Sequence, residues 1–598
     1  MQIAYKNKRA EKILIGVNIF AAAAVAASFV LLFGFDEPLV APGMLYIAQV
    51  GLLCFFIAEK IFRFVNSFSK ADYWRGNWYE IPILFALAAA MSAVHLRQHW
   101  FAPAEPAMVQ HLAVGIYLVA QVTIKVCRTT VNMAATGKSP TRTLIVSFLV
   151  LITCGAGLLM LPKSAANENI SFIDSLFTAT SATCVTGLIV KDTGEDFSFM
   201  GQVIILSLIQ LGGLGIVVFG VVFALLLGQA LSIRESVAMQ DLLSARTLGR
   251  ISNMIVFIFF GTFLIEALGT LGLFGMWNNE NTHITDLPQQ WFYSIFHSVS
   301  AFCNAGFSLF KDSFESYNRR TAIYLVICPL IILGGLGFGV LYDLTSISTD
   351  RVKSFFRKRF SKNKTLAMEP QRRMHLQTKI VLSVSAALIV LGMLAVLVFE
   401  LFTGQFSDEA GNFGILDAFF QSVTARTAGF NTIDIGNMSV AARFILILLM
   451  FVGGSPGSTA GGIKTVTLAV IIMTVFAALR KRQEVELFKR SVRVVVVGRA
   501  ITVTLLFVTV LFTATLALAL TERQNGFDMS QISFEAASAL GTVGLTTGIT
   551  SSLTTAGKVI IILTMLIGRL GPLTLLAALT FNLKPARFNY PEEAIIVG

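Results

Sequence analysis

The chain has 598 residues, 55% hydrophobic and only 13% charged, with a formal net charge of +12 and a mean hydropathy of +0.74. Soluble domains carry about 25% charged residues, so this balance excludes a soluble globular protein and indicates many apolar spans. The positive charge is not a nucleic-acid stripe: it gathers in loops, with 343–379 at net +7 and 480–499 at net +5, as expected for cytoplasmic loops, and no nucleic-acid partner follows from it.

Twelve spans are expected in all. The first four lie near 13–35, 43–65, 80–96 and 107–126 and form an N-terminal extension, 1–140. The first follows Lys6, Lys8, Arg9 and Lys12 like a signal peptide, but its apolar stretch exceeds a 7–15-residue signal core, so it reads as a retained helix. Basic residues in the following loops place the N-terminus, and with twelve spans the C-terminus, in the cytoplasm.

Eight further spans form four units, 141–250, 251–378, 379–499 and 500–598. Each holds an outward helix, near 143–162, 251–275, 379–402 or 500–520, and an inward helix, near 202–228, 320–342, 440–479 or 557–580. Between them lies a segment too short to span. These four segments align on Gly187, Gly306, Gly429 and Gly544, which are 119, 123 and 115 residues apart. Phe177, Phe296, Phe419 and Phe534 stand ten residues before the glycines, and Leu188, Phe307, Phe430 and Leu545 directly follow them. The segments around the glycines are net acidic, so they face the side opposite the basic loops. An all-α membrane fold with pseudo-fourfold symmetry about a pore is expected.

Backbone carbonyls arranged in a ring can replace the hydration shell of a cation, and glycine reaches left-handed conformations without strain. The candidate filter is therefore Val185, Thr186 and Gly187, with Asn304, Ala305 and Gly306, Thr427, Ala428 and Gly429, and Thr542, Val543 and Gly544. The ion is assigned to Thr186, Gly187, Gly306, Gly429 and Gly544. Each preceding half-helix aims its partially negative C-terminus at the ion. Asp192, Glu195, Asp196, Glu280, Asp286, Asp312 and Glu315 lie on the outer side, where they can gather cations or simply be a solvated surface.

The inward helices carry a second repeat: Gly212-Gly213-Leu214-Gly215, Gly334-Gly335-Leu336-Gly337, Gly453-Gly454-Ser455-Pro456-Gly457 and Gly568-Arg569-Leu570-Gly571. In the first two copies glycine allows close helix packing. The third lies in a forty-residue segment whose centre is rich in helix breakers. Irregular backbone at membrane depth must be buried or line a cavity. Gly453, Gly454, Ser455, Pro456, Gly457, Ser458, Thr459, Ala460, Gly461 and Gly462, with Lys464, are expected to form an intramembrane gate under the third filter segment. Arg569 stands at the level of this break and is a functional candidate because an arginine in mid-span is costly. The stretch 457–464 is not a phosphate loop, since Ile463 displaces the GKS/T ending. The six cysteines show no disulfide or zinc spacing, and no catalytic constellation is readable, so no enzyme is expected.

The run Thr178 to Leu188, together with Ala425 to Thr432 and Gly541 to Gly548, resembles the filter segments of the Trk/Ktr/HKT superfamily of potassium transporters. Gly454 to Lys464 is similar to that family's gating loop, Arg569 to its arginine in the last helix, and Tyr590 to Gly598 to the tail of its Ktr branch. The resemblance covers about 141–598; the four extra helices depart from the compact eight-span pattern. It implies potassium uptake across the cell membrane, a homodimer with one pore per protomer, and a cytosolic ring of nucleotide-binding regulatory subunits. K+ is then the transported ion, with no organic cofactor on this chain and nucleotide only through the partner. Glycine rather than serine at 187 implies potassium preference. A sodium-permeable or sodium-coupled relative of the same fold is the alternative. A secondary cation antiporter is the rival of another class, and such proteins rely on intramembrane acids, of which Glu266 alone lies well inside the eight core spans.

Overall fold

The structure is a computed structural model that describes residues 6–88, 114–122, 125, 140–215, 221–222, 251–277, 284–360, 373–403, 414–482 and 484–576, apart from single positions within these ranges. Much of the expected third and fourth spans, the lower half of the first inward helix and the C-terminal tail lie outside the described residues. In the N-terminal extension, α1 (Lys8–Phe33) packs on α2 (Pro42–Asn66), and a short α3 (Lys70–Gly76) follows. Its buried Glu59 is held by Asn18 at 2.8 Å, Lys125 at 2.6 Å and Arg63 at 3.1 Å. This is a charge-compensated cluster, as a carboxylate at membrane depth requires. The extension touches the pore units where the Lys163 N–H donates to the Gly34 carbonyl at 3.2 Å.

Each pore unit is an outward helix, a half-helix and an inward helix. In unit 1 these are α4 (Pro140–Leu159), α5 (Phe172–Cys184) and α6 (Phe199–Leu214); in unit 2, α7 (Ile251–Leu273), α8 (Leu287–Cys303) and α9 (Thr321–Leu336), continued by α10 (Phe338–Phe360). Unit 3 holds α11 (Leu376–Thr403), α12 (Ile415–Thr424), α13 (Val440–Phe451) and α14 (Thr465–Leu479). A short hairpin, β1 (Val485–Leu487) with β2 (Arg490–Val492), follows in the basic 480–499 loop, an addition to the all-helical expectation. Unit 4 is α15 (Val494–Thr521), α16 (Met529–Gly541) and α17 (Thr555–Leu570). Among the described residues, α1, α2, α7, α11 and α15 are long and apolar enough to cross a membrane, and α9 with α10 makes a sixth candidate across a 103° bend.

Within a unit, glycine lets the outward helix meet the inward one. A Cβ at Gly155, Gly269 or Gly392 would lie 2.7–2.8 Å from Leu208, Leu330 or Leu449. Between units the packing is cyclic. The inward helix of unit 1 (α6) rests on the half-helix of unit 2 (α8), α9 on α12, α13 on α16, and α17 returns to α5. The ring closes, so the four half-helices surround one axis.

The inward helices depart from expectation. Those of units 1, 2 and 4 are not continuous through their glycine motifs: they stop at Leu214, Leu336 and Leu570. The next residues, Gly215, Gly337 and Gly571, have φ of 83°, 90° and 81° with ψ of 128°, 139° and 133°, an extended positive-φ backbone that only glycine adopts readily and that breaks the helix. The motif is therefore a helix stop in three units and opens into a loop in the third. The inward helices of units 1, 3 and 4 also begin at side-chain caps, Ser198, Ser439 and Thr554.

Candidate functional site: a ring of four loops

Three half-helices end in the same hydrogen-bonded turn. In α5, the N–H of Val185 donates to Ala182 O and that of Thr186 to Ser181 O; Asn304 and Ala305 do the same after α8, and Thr542 and Val543 after α16. These are paired bonds of the Schellman type, in which the first residue past the helix is left-handed. Val185, Asn304 and Thr542 have φ of 58°, 59° and 50°, although none is glycine. A left-handed L-residue costs about 1–3 kcal/mol and persists only where its surroundings hold it there.

Unit 3 deviates. Its half-helix ends at Thr424, five residues before the glycine where the others end three before, and the Ala428 N–H donates to Thr424 O, so helix and glycine are joined in a different register. The fully buried aromatic is consequently Phe420, not the expected Phe419, which is half-buried. Thr427 supplies the left-handed residue, with φ 78°.

The expected glycines all have positive φ, 91° at Gly187, 70° at Gly306, 83° at Gly429 and 94° at Gly544. They meet in a ring. A Cβ on Gly187 would lie 2.5 Å from Ala305 O, and one on Gly306 2.8 Å from Ala428 O. One on Gly429 would meet Val543 O and lie 3.2 Å from the Gly544 Cα; one on Gly544 would meet Thr186 O and lie 3.0 Å from the Gly187 Cα. Every glycine thus faces the carbonyl that precedes the next unit's glycine. A side chain there would have to push the next unit's backbone aside, and four carbonyls, of Thr186, Ala305, Ala428 and Val543, sit around one circuit. The hydroxyls of Thr186, Thr427 and Thr542 are buried and lack a hydrogen-bond partner among the described residues.

Sequence reasoning missed the groups that hold the ring. A hydroxyl stands near the end of every half-helix. Ser181 and Ser538 accept the N–H of Gly187 and Gly544, each at 3.1 Å. Ser300 and Thr424 donate to the carbonyls of Phe307 and Phe430, at 2.8 and 2.6 Å. The detectable signal was a serine or threonine five or six residues before each glycine.

The loop 452–464 lies below this ring, between α13 and α14, and its ends pair through Val452 and Ile463. Other units satisfy its backbone. The Ser455 N–H donates to Gly335 O at 3.0 Å, Gly457 O accepts from the Phe338 N–H at 2.9 Å, and the Thr459 hydroxyl reaches Gly334 O at 3.1 Å. A Cβ on Gly461 would lie 2.9 Å from Gly541 O, at the end of the fourth half-helix. Arg569 donates to Thr459 O in the loop, and to Gly212 O at 2.7 Å and Gly213 O at 3.4 Å in unit 1. One guanidinium therefore ties units 1, 3 and 4 together. Lys464 is placed differently from Arg569: its ammonium clasps its own loop, at Ala460 O (2.7 Å) and Gly461 O (3.3 Å). Glu266 is buried beside Gln210, whose amide donates to it at 3.2 Å, and near Cys303.

On the outer side, the Asn431 amide donates to Glu315 at 2.6 Å and ties the outer loop of unit 2 to the strand after Gly429. Burial, then Asp434 and Asp312, push the Glu315 carboxyl up to about 7, against the Asn431 bond. Lowering the pH through 7 should therefore remove a negative charge near the ring. Initial cation uptake at low substrate concentration is expected to fall between about pH 8 and pH 6, and Glu315→Gln should flatten that part of the profile. Because folding raises this pKa, the group favours the fold on the acid side and that contribution is lost as pH rises through about 7. An unchanged pH profile in Glu315→Gln would assign the effect elsewhere.

Together, fold and site define a polytopic membrane protein built from four re-entrant units around one axis. The chain belongs to the TrkH family of cation transport proteins, whose profile matches residues 105–589. It is 38% identical over 471 residues to the Ktr system potassium uptake protein B of Bacillus subtilis, covering 77% of this chain and 97% of the relative. It is 36% identical to the potassium/sodium uptake protein NtpJ of Enterococcus hirae, with the same coverage. The crystal structure of the potassium transporter TrkH from Vibrio parahaemolyticus has the same fold, with a TM-score of 0.57 at 19% identity, over 85% of this chain and 98% of that one. The family is one of ion transport, in agreement with the absence of enzymatic motifs in the sequence.

Proposed function

We propose that this protein takes up potassium across the cell membrane through a filter at Gly187, Gly306, Gly429 and Gly544. The carrying observation is the closed circuit of four positive-φ glycines, each facing the carbonyl before the next unit's glycine. That circuit offers carbonyl oxygens in place of water, and the buried hydroxyls of Thr186, Thr427 and Thr542, which lack a hydrogen-bond partner among the described residues, are further acceptors in the same segments. The named functions of the relatives support potassium as cargo. The loop 453–462 with Arg569 is the gate, and the termini are cytoplasmic. The protein works as a homodimer with a cytosolic ring of nucleotide-binding subunits docked on the basic loops. A potassium pathway that also admits sodium is the second reading, favoured by the 36% identity to the potassium/sodium uptake protein.

Purified protein in proteoliposomes should take up K+ faster than Na+ under equal gradients, and a soluble nucleotide-binding subunit of a Ktr system should alter that flux. Equal K+ and Na+ rates would establish the second reading. Full flux that no such subunit changes would remove the regulatory partner.

A further inference from the structure

Three residues before the tying hydroxyl of each half-helix stands a polar side chain that is fully buried: Thr178, His297, Gln421 and Glu535, each 0% exposed. An alignment on the glycines alone hides this set, because Gln421 stands eight residues before its glycine where the other three stand nine before theirs. Burying a polar group without a partner costs free energy, so four in one layer behind the ring call for a role. Two of them have one.

The Nδ1 of His297 lies 2.8 Å from Tyr293 O and must carry the proton, which leaves Nε2 as an acceptor. Nε2 takes the Leu309 N–H at 3.3 Å and lies 3.1 Å from the Ser308 hydroxyl. Glu535 does the same in unit 4: it accepts the Thr547 N–H at 3.1 Å, the Thr546 hydroxyl, and the Thr550 hydroxyl at 2.9 Å. Ser308 and Leu309 stand two and three residues after Gly306, as Thr546 and Thr547 stand after Gly544. In contrast, the Thr178 hydroxyl and both polar atoms of the Gln421 amide have no hydrogen-bond partner among the described residues.

Resting on the filter reading above, we propose that His297 and Glu535 are positioning residues that hold the strands leaving Gly306 and Gly544, and so set cation discrimination at two opposite corners of the ring. The circuit runs 187, 306, 429, 544, which puts units 2 and 4 diagonally across the axis. Rigid bracing at one diagonal fixes the distance between two facing carbonyls. In unit 3 the segment after Gly429 is held by different means: the Phe314 N–H donates to Asn431 O at 2.9 Å, which ties it to the outer loop of unit 2. Discrimination between two cations of equal charge depends on how firmly the carbonyl cage keeps its size and ligand number, so loss of a brace acts on selectivity before it acts on maximal rate.

The test is flux of K+ and Na+ in proteoliposomes of the full chain. Glu535→Ala and His297→Ala should each lower the K+/Na+ ratio by about tenfold, as expected for loss of a hydrogen-bonding group. They should raise KM for K+ with a smaller change in maximal rate. Glu535→Gln and His297→Gln retain an acceptor and should recover most of the ratio, which guards against variants that only fold poorly. Thr178→Val removes a hydroxyl that has no hydrogen-bond partner among the described residues and should leave the ratio unchanged. Selectivity retained in both alanine variants, or lost equally in Thr178→Val, would overturn the proposal. Gly187→Ser separates the two readings. If it alters the ratio while the alanine variants do not, the filter stands and the braces fall. If none alters it, the filter reading fails as well.

Discussion

Gly187→Ser is expected to lower the K+/Na+ permeability ratio by about tenfold while leaving a folded, conducting protein. Gly187 has φ 91°, and its missing Cβ would stand 2.5 Å from Ala305 O and 3.0 Å from the Gly306 Cα. A serine there takes on left-handed strain of about 1–3 kcal/mol and pushes on unit 2, not only on its own loop. The displaced group is one of the four carbonyls of the circuit, so the cage changes size at one corner. An energy of about 1.4 kcal/mol corresponds to tenfold in an equilibrium constant, hence the magnitude. Because the strain is shared with the Gly306 corner, Gly187→Ala should move the ratio in the same direction. Paired K+ and Na+ flux on purified, monodisperse protein decides it: an unchanged ratio in an active protein sinks the assignment of Gly187 to the filter.

The second large effect concerns the proposed gate. Shortening Gly457–Gly461 should raise basal flux, and Arg569→Ala should raise it too. Arg569 holds Thr459 O in the loop and the Gly212 carbonyl in unit 1, so it fastens the loop across the axis. Hydrogen bonds from a charged donor contribute about 1.5–3 kcal/mol each. Losing them shifts a closed–open equilibrium by about ten- to a hundredfold. If loop and arginine act through one latch, the double variant adds little to the larger single effect. Selectivity should be retained, since no filter atom is removed. Loss of transport in both variants, with normal assembly, would mean that the segment supports the pore and does not gate it. Lys464 makes a useful contrast. Its bonds run to its own loop, to Ala460 O and Gly461 O, so Lys464→Met should loosen the loop without uncoupling it from unit 1, and its effect should be smaller.

Much of the site was legible in the chain because its requirements are local. A backbone that turns left-handed needs glycine, so Gly187, Gly306, Gly429 and Gly544 stood out at near-regular spacing. A run of helix breakers inside an apolar segment cannot be a plain span, so 453–462 marked itself as irregular, and a lone arginine in mid-span drew attention to 569. What escaped was of two kinds. Gly215 and Gly337 read as packing residues because GGLG-type motifs also let helices approach; only the φ values, shared by Gly571, show that these glycines end helices. The hydroxyls of Ser181, Ser300, Thr424 and Ser538 escaped because serine and threonine are common and their partners lie past a turn.

Composition, charge placement and the repeated glycines by themselves determined a membrane protein of four related units with re-entrant loops. They also determined that the third inward segment is broken and that Arg569 shares its level, because each of these follows from what a short stretch of backbone or one charge can tolerate in lipid. Only the tertiary structure decided the order of the circuit, with Gly187 facing Ala305 O and Gly544 facing Thr186 O, and only it put Gln421 in one layer with Thr178, His297 and Glu535. Those facts depend on contacts between residues more than a hundred positions apart and on a one-residue offset of one half-helix's buried face from its glycine. Long-range packing sets both, and no local pattern records them.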